Sequence, residues 1–261
     1  MFEFDTYNLL LTAIVTVLLQ AIMFAFAMRL KTDHFTDITY ALTFLILALG
    51  LLYWSPMHAR QLLLAALITL WALRLGGYLL YRITKIGKDD RFDGRREDFV
   101  RFLSFWTFQA IVIWITMIPA TMALSSDSQP GKIALDYLGV FVALAGLLIE
   151  AVSDQQKFRF KNDPANRDRW IETGLWRYSR HPNYFGETLF WLGIFALAAR
   201  ALPPGWAFLI GLSPLFIAMM LLFVSGIPLL DEKAIKRFGH LPAFREYRKR
   251  TSVFVPWFVK S

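Results

Sequence analysis

Seven stretches of almost unbroken apolar residues run along the chain, at positions 7–28, 38–54, 62–81, 102–124, 133–152, 184–199 and 206–229, with polar segments between them. A helix needs roughly 20 mostly apolar residues to cross the hydrocarbon of a bilayer, and these stretches have or approach that length. Within a bilayer a crossing segment satisfies its own backbone polar groups only as a helix. The pattern therefore predicts an all-α, polytopic integral membrane protein with seven transmembrane helices. Only Arg200-Ala201-Leu202-Pro203-Pro204-Gly205 divides the last two stretches, which predicts a helical hairpin there. The first stretch has no basic region before it and no small-residue cleavage site after it, so it reads as a spanning helix and not as a signal peptide.

The charges orient the predicted helices. Segments following the first, third, fifth and seventh stretches hold 2, 7, 7 and 8 Lys and Arg, whereas the alternate segments hold only Arg60, Lys132 and Arg200. Cytoplasmic segments carry such an excess, so the N terminus is expected outside and the C terminus in the cytoplasm. No internal repeat or long linker is visible, and residues 1–261 read as one membrane domain.

Composition narrows the chemistry. The chain is 56% apolar and 16% aromatic, beyond the range of an ordinary soluble domain. Its net charge of +8 falls mainly in the four basic segments. It reads as an orientation signal and an attraction to anionic lipid, with no nucleic-acid partner. The absence of cysteine excludes disulfides, thiolate metal sites and a cysteine nucleophile. The four histidines, His34, His58, His181 and His240, are far apart in sequence, and no metal site is expected.

Two cytoplasmic segments, 153–183 and 230–261, are longer than a connection requires, which marks them as carriers of a site. The densest motif is GLWRYSRHPNYFGE, Gly174 to Glu187, which places Tyr178, Arg180, His181, Asn183 and Glu187 at the start of the sixth stretch, with Pro182 suited to a first helical turn. A helix N terminus flanked by Arg177 and Arg180 favours phosphate; a basic membrane-edge motif is the plainer reading. Asn183 and Glu187, one turn apart at a depth where polar groups are costly, favour a site. Glu150 and Asp154 also share a helical face, followed by Lys157 and Lys161, and either bind ribose hydroxyls or an amide or pair with neighbouring cations. In the second and third stretches Asp37, Tyr40, Trp71, Arg74 and Tyr78 are polar or amphipathic. Arg74 calls for a partner, with Asp37 the carboxylate on the adjacent helix, whether as a functional group or as structural glue. The tail adds Asp231, Tyr247, Arg248 and Arg250, and the basic segments together suit a multiply phosphorylated cofactor.

The Gly174–Glu187 motif, Ser153-Asp154-Gln155-Gln156-Lys157-Phe158 and the run Tyr247 to Pro256 resemble bacterial membrane proteins grouped with the steroid 5α-reductases, across nearly the whole chain. The resemblance implies NADPH in a cavity open to the cytoplasm of a bacterial inner membrane, and a steroid or other hydrophobic lipid substrate entering from the bilayer. Asn183 and Glu187 would stand at the nicotinamide end, Asp154 on the adenosine side, and Lys161 where an arginine reaches phosphate. Arg74, Tyr178, Arg180, His181, Tyr247 and Arg250 would complete the cofactor site, and Asp37 would match a catalytic glutamate. The implied reaction reduces a carbon–carbon double bond conjugated to a ketone. Asp37, held protonated, is the expected donor to the carbonyl oxygen, with Tyr40 or Tyr78 as alternatives. Thr36, Trp71 and Glu150 depart from the family, standing where Gln, Tyr and Asn are expected. The Arg-His-Pro-Asn-Tyr run also resembles isoprenylcysteine carboxyl methyltransferases, which implies S-adenosylmethionine as the rival cofactor.

Overall fold

A computed structural model describes residues 5–87, 92–127 and 134–258. Among these residues there is no strand, and the helices are α1 Leu9–Leu30, α2 His34–Tyr53, α3 Ala59–Ile86, α4 Phe99–Ser125, α5 Ala134–Asn162, α6 Pro182–Ala199, α7 Pro204–Met219, α8 Ile227–Phe238 and α9 Pro242–Arg250. Short 3-10 turns lie at Pro164–Asn166 and Gly174–Arg177, and a π turn at Met220–Val224 follows α7. Among the described residues six helical segments are long and apolar enough to cross a membrane: Leu9–Leu30, His34–Tyr53, Ala59–Lys85, Phe99–Ser125, Ala134–Asn162 and Ile210–Phe238. The sixth predicted stretch, now α6, is not among them; it is 18 residues long and opens with Asn183 and Glu187.

The solvent these helices suit is read from what they hide. On α1 the buried stripe is Thr12, Thr16, Gln20, Phe24 and Ala27, while Leu10, Ile14, Leu18, Ile22 and Phe26 are exposed. Small and polar residues inward with large apolar residues outward invert the arrangement of a water-soluble helix and match helix packing in lipid, where close approach and interhelical hydrogen bonds replace the hydrophobic effect.

The chain folds as two compact units: Met1–Val140 with Ile194–Ser213, and Phe141–Gly193 with Pro214–Ser261. In the first, α1, α2 and α4 are joined by a polar seam. Gln109 Nε2 donates to Gln20 Oε1 at 2.9 Å and to the Thr36 carbonyl at 3.2 Å, while Gln20 Nε2 donates to Thr43 Oγ1 at 3.0 Å. Near the start of α3, Arg60 grips Asp136 through both carboxylate oxygens, Nη2 donating at 3.1 and 3.0 Å, and both side chains are only 4% exposed. Gln61 Nε2 beside it donates to the carbonyls of Leu124 and Ser126. At the opposite end of α1, Phe24, Phe92, Phe102 and Trp106 form an aromatic cluster.

In the second unit, α5 and α6 approach through glycines. A Cβ on Gly186 would stand 2.5 Å from the Glu150 backbone nitrogen and 2.7 Å from the Gly146 carbonyl oxygen, so only hydrogen fits at this crossing. The apolar pattern ends the fifth helix near residue 152, yet α5 continues to Asn162. Ser153 to Asn162 contains neither Gly nor Pro and is rich in Gln, Lys and Arg, which sustain a helix; Pro164 then ends it. At 1.5 Å per residue α5 is about 43 Å long, so its last turns reach past a hydrocarbon slab of roughly 30 Å. Asp154, Lys157 and Lys161 consequently stand on a helix and not on a connecting loop.

Candidate functional site

The close α5–α6 crossing sets the register of the polar residues beyond it. Glu150 packs against Gly186, and one turn along each helix Asp154 meets Asn183, whose Nδ2 donates to Asp154 Oδ1 at 3.2 Å. Asp154 is buried, and the Asn183 Oδ1 atom is buried with no hydrogen-bond partner among the described residues. Glu187 follows one turn after Asn183 on α6, half-buried.

The segment before α6 is strapped from several directions. Gln156 Oε1 accepts from the Leu175 amide at 3.0 Å, beneath Gly174, whose positive φ of 61° turns the chain where a side chain would strike Gln156. Trp176 is buried, donates Nε1 to the Ser153 carbonyl at 3.1 Å and has the Lys157 ammonium 4.5 Å from its ring centroid. Its own carbonyl accepts the Tyr247 hydroxyl at 3.0 Å. The tail then runs alongside: Arg180 N donates to the Ser252 carbonyl at 2.8 Å, Ser179 Oγ to the Phe254 carbonyl at 2.7 Å, and Trp257 N to the Tyr178 carbonyl at 3.1 Å. Under the tail, Trp170, Phe238, Phe244 and Tyr247 form a small aromatic core that seats α8 and α9.

Asp231 of α8 is the charged hub. Arg180 Nη1 and Arg248 Nη2 both donate to its Oδ2, at 2.9 and 3.1 Å, and His181 Nε2 lies 3.2 Å from its Oδ1. Burial pushes the His181 imidazole below its ordinary value of 6.5; the bond to Asp231 opposes this, and the nearby Lys157 and Arg180 charges reinforce it. The ring stacks on Tyr184 with centroids 5.8 Å apart and the two planes nearly parallel. Burial likewise raises the Tyr247 phenol well above its ordinary value, so it remains a neutral donor. Beside this network lies a cleft of about 400 Å³ lined by Glu172, Thr173, Gly174, Arg177, Tyr247, Arg250 and Thr251, with Arg250 bonded to Glu172 at 3.1 Å.

The second unit therefore gathers Asp154, Tyr178, Arg180, His181, Asn183, Glu187, Tyr247 and Arg250. Lys161 lies exposed near the end of α5. Asp37, Tyr40, Arg74 and Tyr78 belong to the first unit. There Asp37 Oδ2 pairs with Arg82 at 2.7 Å. Helix α3 continues to Ile86 and carries Arg74, Tyr78 and Arg82 at successive four-residue steps. Tyr40 packs edge-on against Phe44 and the buried Trp71.

Residues 23–251 match the family described as "Protein of unknown function (DUF1295)". The chain belongs to the DUF1295 family. Among curated proteins, the chain is 24% identical over 252 residues to "Uncharacterized protein C594.04c" of Schizosaccharomyces pombe, covering 83% of this chain and 68% of that protein. It is 31% identical over 125 residues to "Probable O-methyltransferase ustE" of Ustilaginoidea virens, covering 47% of this chain and 42% of that protein. The chain thus spans about two thirds of the first relative and less than half of the second. No solved structure matches.

Gln156, Ser179 and the glycine pair at 146 and 186 are members of this assembly that sequence reasoning passed over as site residues, and Asp231 was named only as one of the tail's charges. Asp231 sits in a run of tail charges that looks like a solvated helix face, and only folding brings it to Arg180 and His181 across about 50 residues.

Proposed function

We propose that this protein is a membrane reductase that uses NADPH to saturate a carbon–carbon double bond conjugated to a ketone in a steroid-like or other hydrophobic lipid. The observation that carries this reading is the amide of Asn183, held by Asp154 at the opening of α6 with its Oδ1 buried and without a partner among the described residues. A buried acceptor of this kind costs stability unless a ligand donor meets it, and a nicotinamide carboxamide presents such a donor. The donor set fits a dinucleotide in a second respect: the 400 Å³ cleft in the same unit carries the guanidiniums of Arg177 and Arg250 beside the Thr173 and Thr251 hydroxyls, groups suited to phosphate.

NADPH, when bound, supplies the hydride delivered to the β-carbon of the enone. The chain's own residues hold and orient. Asn183 and Glu187 take the carboxamide, Arg177, Arg250 and Lys161 take phosphate, and Asp154 fixes the Asn183 amide. Arg180, paired with Asp231 as Arg250 is with Glu172, joins them at phosphate and also anchors the α6 opening. Asp37, with Tyr40 or Tyr78 as the alternative, is the group proposed to donate to the substrate carbonyl oxygen. We take the chain to cross a bacterial inner membrane seven times, α6 included, with the N terminus outside and the cofactor site open to the cytoplasm. The basic segments Lys157–Arg180 and Lys233–Lys260 support that orientation.

A second reading, an S-adenosylmethionine-dependent methyltransferase, is favoured by the match to the probable O-methyltransferase. Purified protein in proteoliposomes, supplied with hydrophobic enones and either cofactor, separates the two. Substrate-dependent oxidation of NADPH with a product two hydrogens heavier supports the reductase; a methylated product overturns it.

A further inference from the structure

An ionised carboxylate only accepts hydrogen bonds, so the ring nitrogen of His181 that faces Asp231 Oδ1 at 3.2 Å carries the hydrogen. Two guanidiniums, of Arg180 and Arg248, keep that carboxylate ionised from its other oxygen. In a neutral imidazole a proton on Nε2 leaves Nδ1 as a bare lone pair, the tautomer being set by the partner of the opposite nitrogen. His181 is 4% exposed, and its Nδ1 finds no hydrogen-bond partner among the described residues. Two residues on, Asn183 repeats the logic, with Nδ2 engaged by Asp154 and Oδ1 left as a buried acceptor. Carboxylates from two different helices, α5 and α8, therefore fix the sense of two buried acceptors at one helix opening.

We infer that His181 reads the bound dinucleotide, its Nδ1 accepting a hydrogen bond from a ligand amide or amine N–H, and that Asp231 is the positioning residue that holds it in this tautomer. The inference rests on the nicotinamide-cofactor reading and adds a second acceptor and its orienting carboxylate to it. A dinucleotide offers such donors at two places, the nicotinamide carboxamide and the adenine amino group.

The test titrates the full chain in detergent with NADP+, with its nicotinic acid analogue, which replaces the carboxamide by a carboxylate, and with its hypoxanthine analogue, which lacks the amino group. One of the two analogues is expected to bind about tenfold or more weakly than NADP+, the usual scale for stranding a buried acceptor. His181→Phe keeps a ring to stack on Tyr184 and is expected to lose a similar factor toward NADP+ and most of that discrimination. A measurement on native His181 stands beside the variant: nitrogen NMR of labelled protein with His34, His58 and His240 replaced by glutamine. It should show hydrogen on Nε2 and an Nδ1 resonance that moves when NADP+ binds. Equal affinity for all three dinucleotides, hydrogen on Nδ1, or an Nδ1 resonance unmoved by bound NADP+ overturns the inference while leaving the cofactor reading intact. Failure of all three to bind overturns that reading itself.

Discussion

Asn183 donates Nδ2 to Asp154 Oδ1 at 3.2 Å, and this one bond decides which end of the amide is offered to a ligand. Without the carboxylate the amide has no reason to keep its carbonyl turned to the site. Asp154→Ala is therefore expected to lower NADPH affinity about tenfold, the scale of one hydrogen bond to a buried group. Because the two residues act as a unit, Asn183→Ala should cost as much, and the double variant little more than either single one. Calorimetric titration of the four proteins checks this; additive losses would show that Asp154 binds the ligand independently.

The Arg60–Asp136 pair is a buried structural device in the first unit. Removing one partner leaves a buried charge uncompensated, which costs on the order of 3–5 kcal/mol, whereas a pair of apolar residues of similar size is often tolerated. Arg60→Ala should thus strongly lower the unfolding temperature of the protein in detergent, and Arg60→Met with Asp136→Leu should recover most of the loss. A double variant as unstable as the single one would mean that the pair contributes more than charge compensation.

How much of this was legible from sequence varies with the kind of feature. The apolar stretches announced α1 to α5 because a 20-residue greasy run has one stable form in lipid. Asp154, His181, Asn183 and Glu187 were legible as candidates because polar residues at helical spacing beside an apolar run are costly. Their partners were not. Asp231 is an ordinary charge until α8 folds back on Arg180, and Arg82 looked like a loop residue until α3 ran on to Ile86. Gly146 and Gly186 gain meaning only from the crossing of α5 and α6, where contact between helices has no sequence period of its own.

His181 gives a pH dependence with a definite sign. Its folded value lies below the ordinary 6.5 because burial disfavours the imidazolium. The unfolded chain then binds more protons at acidic pH, so the stability contributed by neutral His181 is complete above about 6.5 and falls as pH drops through and below that value. The same protonation places hydrogen on Nδ1 and removes its lone pair, so NADPH affinity falls in the same direction. Unfolding temperatures and affinities measured between pH 5 and 8, with His181→Phe as control, check both; a His181→Phe profile as steep as that of the native protein would assign the effect elsewhere.

The absence of cysteine makes the orientation directly measurable. In a sealed right-side-out membrane preparation, Asp127→Cys is expected to react with an impermeant thiol reagent added outside, and Asp168→Cys only after the membrane is opened. Both positions are exposed. Reversed labelling would invert the proposed topology, and labelling of both from one side would remove α5, the helix between them, from the spans.

The most direct test of a nicotinamide cofactor at the opening of α6 is thermal stabilisation of the detergent-purified protein by NADPH, NADH and S-adenosylmethionine, with Asn183→Ala and Glu187→Ala alongside. Stabilisation by NADPH above the other two, weakened by both substitutions, is the expected result. Stabilisation by S-adenosylmethionine alone would contradict the reductase and assign the same pocket to methyl transfer.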